Sequence, residues 1–229
     1  MITPTIPAEQ FLLMARSLPV IDVRSPGEYR KGHILGAFNI PLFTNEERAE
    51  VGTLYVQTGK EPAINLGQEI AVQKTDYYLE EIAKAAPQKQ ALLHCWRGGM
   101  RSAKIATFYE EAGYRIFVLE GGYKAYRKYI RHQFSSGKPV ILIGGYTGSG
   151  KTEILNNIHK QGHQVIDLEA LAHHKGSSFG HLGQDEQPTT EQFENDLFAQ
   201  WEKIDSLKHL WLEHESMKIG NVLLPDTFY

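Results

Sequence analysis

The sequence predicts an α/β chain made of two units in series, each built around a parallel sheet. Three observations predict it. Short apolar runs alternate with longer stretches of helical apolar spacing along most of the 229 residues, the pattern of strands joined by crossover helices. Twice, a glycine-rich loop follows an apolar run and precedes a helical pattern, at "HCWRGGMRS" (94–102) and at "GGYTGSGK" (144–151). Between them "HQFSSGKP" (132–139) is small and polar and carries Gly137 and Pro139, the composition of a linker. The boundaries that follow are 11–134 for the first unit, 135–139 for the linker and 140–229 for the second.

Each element has its own warrant. "AEQFLLMARS" (8–17) reads as a short helix leading to the apolar run "PVIDV" (19–23), which the turn-like "RSPGE" closes. "HILGAFNIPL" (33–42) holds another strand. Residues 66–86 read as one long helix, with Leu66, Ile70, Val72, Tyr77, Leu79 and Ile82 at its apolar positions. "ALLHC" (91–95) and "RIFVLEGG" (115–122) are strands with a helix between them. The alternation restarts with "VILIGG" (140–145), a helix from about Gly150, the strand "QVIDL" (164–168), a helix around 190–204 and the strand "HLWLE" (209–213). About three strands are therefore expected in the second unit, whereas nucleotide-binding α/β sheets use about five. The chain reads as a fragment whose second unit is incomplete.

Bulk composition narrows the function classes. An apolar fraction of 41% and a charged fraction of 22% are those of a globular protein. No apolar run reaches the roughly 20 residues of a membrane span, and the N-terminus lacks the basic-then-apolar order of a signal peptide. A single cysteine forms no internal disulfide, which fits a reducing compartment and a cytoplasmic protein without a membrane partner. The net charge of −3 hides an asymmetry: residues 1–138 carry 18 Lys and Arg against 14 Asp and Glu, and residues 139–229 carry 6 against 13. From Gly121 to Lys151 there are six basic residues and no acid, a local field that an anionic partner would feel.

The chemistry of the first loop centres on Cys95. Glycines such as Gly98 and Gly99 let a backbone curl so that successive N–H groups face one point, and the following helix adds its positive end. A thiol in such a cradle has its thiolate favoured. Arg101 is placed to add a fixed positive charge, and Arg97 to face substrate. Cys95 is then a competent nucleophile or a carrier of a terminal chalcogen. A buried structural cysteine is the alternative, which the density of Gly and Arg disfavours. On these residues, "VIDVRSPGEYRKGHILGAFNIPL" followed by "LLHCWRGGMRSAKIATFYEEAGYRIFVLEGGYKAY" resembles a rhodanese domain, the sulfurtransferase fold, over about residues 11–132. The resemblance implies that Cys95 carries the chalcogen, that Asp22 and Arg24 are mainly structural, and that His33 in "GHI" is a hydrogen-bonding position. His94-Cys95, five residues and Arg101 also match the spacing of cysteine phosphatases with a rhodanese-like fold, so phosphate-ester chemistry stays open at this point.

"VILIGGYTGSGKTEIL" satisfies G-x-x-x-x-G-K-[ST] at Gly145, Gly150, Lys151 and Thr152. Backbone amides of residues 146–152 would surround a diphosphate, Lys151 would neutralise it and the Thr152 hydroxyl could hold Mg²⁺. Gly148 relieves crowding where backbone meets phosphate. Asp167 and Glu213, each ending an apolar run, are both candidates for the acid of a Walker-B strand, and either could cap a helix instead. His173, His174 and His181 lack a familiar ligand spacing, so they read as surface or substrate-facing polar residues, and no metal site of protein ligands is expected.

Together, "CWRGGMRS", "GGYTGSGKT" and "LEALAHHKGSSFG…QP…FEN" resemble the tRNA 2-selenouridine synthases, which fuse a rhodanese domain to a P-loop domain. The resemblance implies a selenotransferase and geranyltransferase. The wobble 2-thiouridine of a tRNA anticodon is S-geranylated with geranyl diphosphate, and the geranylthio group is then exchanged for selenium from selenophosphate. It implies no tightly bound cofactor. Cys95 would carry selenium, Arg97 and Arg101 would hold selenophosphate oxyanions, and the P-loop would take the diphosphate, although a nucleotide fits the same loop. The basic seam would follow tRNA phosphates while Tyr123, Tyr126, Tyr129 and Phe134 stack on unpaired bases; an amphipathic helix with its tyrosines in the core reads equally well. Two departures stand out: Lys175 occupies a position where the family is expected to carry arginine, and the family's chains are substantially longer. A phosphatase or sulfurtransferase fused to a P-loop module, and a non-catalytic fragment that binds tRNA or diphosphate, remain the competing readings.

Overall fold

The structure, a computed structural model, describes residues 3–146, 148–177 and 179–228. Thr147, within the second glycine-rich loop, lies outside them, as do the first two residues, Ser178 and Tyr229. The chain divides into two compact units, Met1–Tyr129 and Ile130–Tyr229.

In the first unit β1 (Thr5–Ile6), β2 (Val20–Asp22), β3 (Phe38–Asn39), β4 (Gln90–His94) and β5 (Arg115–Leu119) form one sheet in the order β1-β5-β4-β2-β3. Every pairing in it is parallel. A parallel sheet needs cover on both faces; α1 (Ala8–Ala15), α2 (Pro26–Lys31), α5 (Thr75–Ala85) and α6 (Met100–Glu111) lie in its crossovers, and α7 (Gly122–Gln133) follows its last strand. The central strand β4 carries Ala91, Leu92 and Leu93, all fully buried; each leucine contributes roughly 1.5–3 kcal/mol by leaving water. The core extends through Ile21, Ile82, Tyr109 and Ile116. Helix α2 starts on a capping box in which the Ser25 hydroxyl accepts from the Glu28 amide and the Glu28 carboxylate accepts from the Ser25 amide.

Residues 45–85 differ from expectation. The single helix predicted over 66–86 is two helices, α4 (Lys60–Val72) and α5, and a further helix α3 (Asn45–Thr58) precedes them. The break falls at Lys74, whose backbone (φ −115°, ψ 13°) leaves the helical region and whose amide turns back to the Ala71 carbonyl. Its ammonium pairs with Glu47, the residue that completes the capping box of α3. After the break Tyr78 and Ile82 enter the core, and the Tyr78 hydroxyl donates to the Leu42 carbonyl at 2.9 Å.

In the second unit β6 (Val140–Ile143), β8 (Leu210–Glu213) and β7 (Gln164–Val165) form a parallel sheet in the order β6-β8-β7. Helices α8 (Lys151–Lys160), α9 (Leu168–Leu171) and α10 (Thr190–Trp201) belong to it. Thr189 caps α10 by accepting from the Gln192 amide. Beyond β8 an antiparallel hairpin, β9 (Lys218–Ile219) with β10 (Val222–Leu223), turns at Gly220; the sequence reading had no element there. Phe134, Trp201 and Phe228 form an aromatic cluster with ring centroids 5.2–5.9 Å apart.

Burial also corrects part of the basic seam. Tyr123, Tyr126 and Phe134 are core residues, 0–3% exposed, so they are not free to stack on bases. Arg131 pairs with Glu194 at 2.8 Å, and Lys138 donates to the carbonyls of Trp201 and Ile204. Lys124 and Lys128 stay exposed. Among the described residues no helix is long and apolar enough to cross a membrane.

Candidate active site

Cys95 stands one residue beyond β4 and is 2% exposed. The loop that holds it is fixed from behind: the Tyr123 amide donates to the Cys95 carbonyl at 2.8 Å and the Lys124 amide to the Trp96 carbonyl at 3.0 Å. The first turn of α7 thus satisfies the loop's carbonyls. This close approach requires two glycines. Gly98 (φ +64°) and Gly122 (φ +60°) meet backbone to backbone, and a Cβ on Gly122 would lie 2.4 Å from the Gly98 nitrogen.

The sulfur sits among donors. Its thiol donates to the Ser102 hydroxyl at 3.3 Å, and that hydroxyl donates to the Gly99 carbonyl at 2.9 Å. Once the thiol ionises, the same hydroxyl can turn to donate to sulfur. Burial alone would raise the Cys95 pKa, but Ser102, the Arg101 charge and the backbone amides of Arg97 and Gly99 outweigh it and bring the pKa below its ordinary value. Arg101 is kept in place by Glu28, at 3.3 Å, which also faces Arg48 at 3.5 Å. Arg97 contributes through its amide, and its residue is exposed.

Behind the loop lies a buried polar cluster. The Arg24 guanidinium donates from Nε to Asp22 at 3.0 Å, from Nη2 to the same carboxylate and to the Gly32 carbonyl at 2.7 Å, and stacks on the Tyr123 ring at 3.7 Å. Burial opposes ionisation of Asp22, while His94 and Arg24 hold its pKa below the usual carboxylate value. His94, fully buried, has its pKa lowered by that burial and stands 3.7 Å from Asp22. Removing one member of the buried Asp22–Arg24 pair typically costs about 3–5 kcal/mol, because the other charge is left unpaired. Asp22 and Arg24 shape the floor of the loop. His33 stacks on Tyr29 and its Nδ1 lies 3.0 Å from the Tyr29 carbonyl.

In the second unit, the glycine-rich loop joins β6 to α8. Gly150 takes the left-handed conformation (φ +84°) directly before Lys151, the first residue of α8. Gly145 and Gly148 are exposed along the loop, and Thr152 is half-buried in the first turn. The Lys151 ammonium lies 3.3 Å from the Gly145 carbonyl, closing the loop's two ends. Of the two candidate acids, Asp167 caps α9, its carboxylate accepting from the Ala170 amide at 2.8 Å. Glu213 ends β8 beside the Ile143 end of β6 and is 1% exposed, its carboxylate facing Glu215.

Glu169 and Glu215 join it: the three side chains offer ligand oxygens within 4.8 Å of one another, an arrangement able to hold a metal ion. Burial, with Glu213, Glu215 and Asp167 nearby, pushes the Glu169 pKa up to about 7 against the pull of Lys151. Sequence reasoning singled out neither Glu169 nor Glu215, nor Ser102 and Glu28 in the first unit. The three histidines do not gather as ligands: His173 contacts the Glu186 carbonyl, and His174, buried rather than on the surface, accepts from the Gly176 amide and stacks with His181.

Known proteins align with both units. The rhodanese-like domain family matches residues 8–129, and the tRNA 2-selenouridine synthase AAA domain matches residues 138–229. The tRNA 2-selenouridine synthase of Shewanella pealeana is 39% identical over 237 residues, covering 98% of this chain and 62% of that protein. That of Bdellovibrio bacteriovorus is 38% identical over 228 residues, covering 95% and 59%. The crystal structure of an N-terminal domain from Clostridium difficile 630 is 41% identical and covers 55% of this chain and 98% of that one, with a TM-score of 0.48. The chain therefore spans 62% and 59% of the length of these two curated relatives. With a rhodanese-like match over more than half of its residues, the chain belongs to the rhodanese-like domain family, and along nearly all of its length it is similar to tRNA 2-selenouridine synthases.

Proposed function

We propose that the chain acts in the conversion of a tRNA wobble 2-thiouridine to 2-selenouridine, with Cys95 as the nucleophile of the exchange step. The observation that carries this reading is a buried thiol 3.3 Å from the Ser102 hydroxyl, in a loop that α7 holds through the Cys95 and Trp96 carbonyls and that Arg101 follows, in a chain that continues into a P-loop. The P-loop would bind the diphosphate of geranyl diphosphate through Gly145, Gly148, Gly150 and Lys151, with Mg²⁺ held at Thr152 and the Glu213 end of β8. Departure of diphosphate leaves an allylic cation equivalent, and the thiouridine sulfur attacks it.

S-alkylation turns sulfur into a leaving group. Over the whole exchange the base carbon gains a bond to selenium, the C–S bond to the alkylthiolate breaks with its electron pair on sulfur, and water cleaves P–Se to release phosphate. The exposed Arg97 and the half-buried Arg101 would hold the selenophosphate oxyanion. Selenium carried on Cys95 as a selenylsulfide, the form the family resemblance implies, removes two electrons and needs an acceptor that selenophosphate does not supply. A redox-neutral course has the Cys95 thiolate bond to the base carbon, expel the alkylthiolate and then be displaced by selenium. Lys124 and Lys128 would contact tRNA phosphates, which predicts weakening by salt.

The test is incubation with S-geranylated 2-thiouridine tRNA and selenophosphate, followed by nucleoside mass spectrometry. Selenouridine from wild type and none from Cys95→Ala is the expected result. Equal yields from the two would remove Cys95 from the reaction. Cys95-dependent hydrolysis of an aryl phosphate with no selenouridine would favour a phosphatase instead.

A further inference from the structure

The first unit contains an apolar cavity of about 440 Å³ beside the cysteine loop. One side comes from the α3–α4 hairpin and the segment before it, through Phe43, Tyr55, Ile64 and Val72; the other comes from Met100, Arg101 and Lys104 of α6. Its origin lies in the sequence of the hairpin. Helix α3 fully buries none of its residues and α4 only Ala63, while Val51, Ile70 and Ala71 pack against the core in part, so the pair leaves a gap between itself and α6. Tyr55, Val72 and Met100 are left 49–69% exposed around the opening. Leaving such side chains unpaired with anything apolar is costly in water, and a pocket of this size lies within the range of about 300–1,000 Å³ that suits small molecules.

Two further features say what fits. The charged side chains among the lining residues, Arg101 and Lys104, are both basic. Arg101, which also pairs with Glu28, is the residue whose charge acts on the Cys95 sulfur. A molecule with its apolar body against the hairpin and an electron-rich end at Arg101 would therefore place that end beside the nucleophile. We propose that this cavity receives the hydrocarbon chain borne on the sulfur of the substrate base, and holds the alkylthiolate as it is expelled. The proposal deepens the exchange reaction proposed above and rests on it. The C–S bond breaks with its electron pair on sulfur, the thiolate is stabilised by Arg101 and Lys104, and it takes its proton from water.

Two measurements test this on the whole chain. A dansyl-labelled fatty acid, with an apolar chain and an anionic end, is titrated against wild type by fluorescence. Saturable binding is expected, displaced by a long-chain alkyl thiol. Val72→Asp and Tyr55→Asp, at exposed wall positions where folding is not at stake, should each weaken it about tenfold, since a carboxylate cannot be buried against the chain. The second measurement compares selenouridine formation from long-chain S-alkyl and S-methyl thiouridine tRNA. Wild type should prefer the long chain, and both variants should lose that preference while keeping the S-methyl rate.

Absence of probe binding, or binding and preference unchanged in both variants, overturns the cavity assignment. So does a self-association that the variants abolish, because a second copy would then be the occupant. If neither tRNA yields a Cys95-dependent product while the probe binds and the variants weaken it, the exchange reading fails and the apolar site stands.

Discussion

Two opposed effects meet at the Cys95 sulfur. Burial favours the neutral thiol, and four donors or charges favour the thiolate. The second group prevails, and its side-chain members are separately testable. Ser102→Ala and Arg101→Ala should each move the thiol pKa upward, read as the midpoint of the ultraviolet thiolate absorbance of the chain's single cysteine. A midpoint unmoved by both changes would assign the shift to the loop amides alone. The loop was legible in the sequence because its chemistry is local: Cys95, Gly98, Gly99 and Arg101 lie within seven residues. Glu28 was not, since it reaches Arg101 from 73 positions away, and in the sequence it announces only the start of α2. Tyr123 and Tyr126 show the limit from the other side: their spacing fits both an RNA-facing stripe and a core-facing one, and only packing decides.

Among elements, the acidic trio depends on how α9 and the end of β8 are brought together. Glu213 closes β8, Glu169 rides on the single turn of α9, and Glu215 follows two residues after Glu213. The apolar run of "HLWLE" in a chain of alternating strand and helix patterns predicted the strand, but no spacing rule links Glu169 to it across 44 positions, so the cluster was invisible beforehand. Its consequence is a pH effect with a definite sign. Glu169 has a folded pKa of about 7 against 4.5 when unfolded, so the folded state binds the proton more tightly. The associated stability is present below the unfolded value and is lost as pH rises through about 7. Melting temperature should therefore fall with rising pH across that window, and Glu169→Gln should flatten the fall and raise the melting temperature at its alkaline end. An unchanged slope in the variant would assign the dependence to other groups. The hairpin of α3 and α4 was missed for a different reason: α3 fully buries no residue, and its apolar positions, Val51 and Tyr55 among them, form too weak a stripe for periodicity to reveal.

Across the whole molecule, two units with separate cores imply separate responses. The first is organised around β4, the middle strand of five, which runs into the cysteine loop, and the second around β8, the middle strand of three. Calorimetry should resolve two transitions. Inorganic diphosphate with Mg²⁺ should raise only the one belonging to the second unit, by about 2.7 kcal/mol at a hundredfold excess over its dissociation constant. Lys151→Ala should remove that shift. A single transition that moves as one would show the units to be coupled. In the sequence the apolar and glycine-rich pattern starts afresh after Pro139, whereas the compact units divide between Tyr129 and Ile130, within α7.

The enclosure of the thiol has one more consequence, for oxidative damage. Cys95 is the chain's single cysteine, and its sulfur lies beneath the surface. A peroxide small enough to enter would meet a sulfur with thiolate character and convert it to a sulfenic acid. No second thiol in the chain can resolve that product as an internal disulfide. Repair must come from a free thiol small enough to follow the same path, so recovery after oxidation should depend on low-molecular-weight reductants and be slow with protein ones.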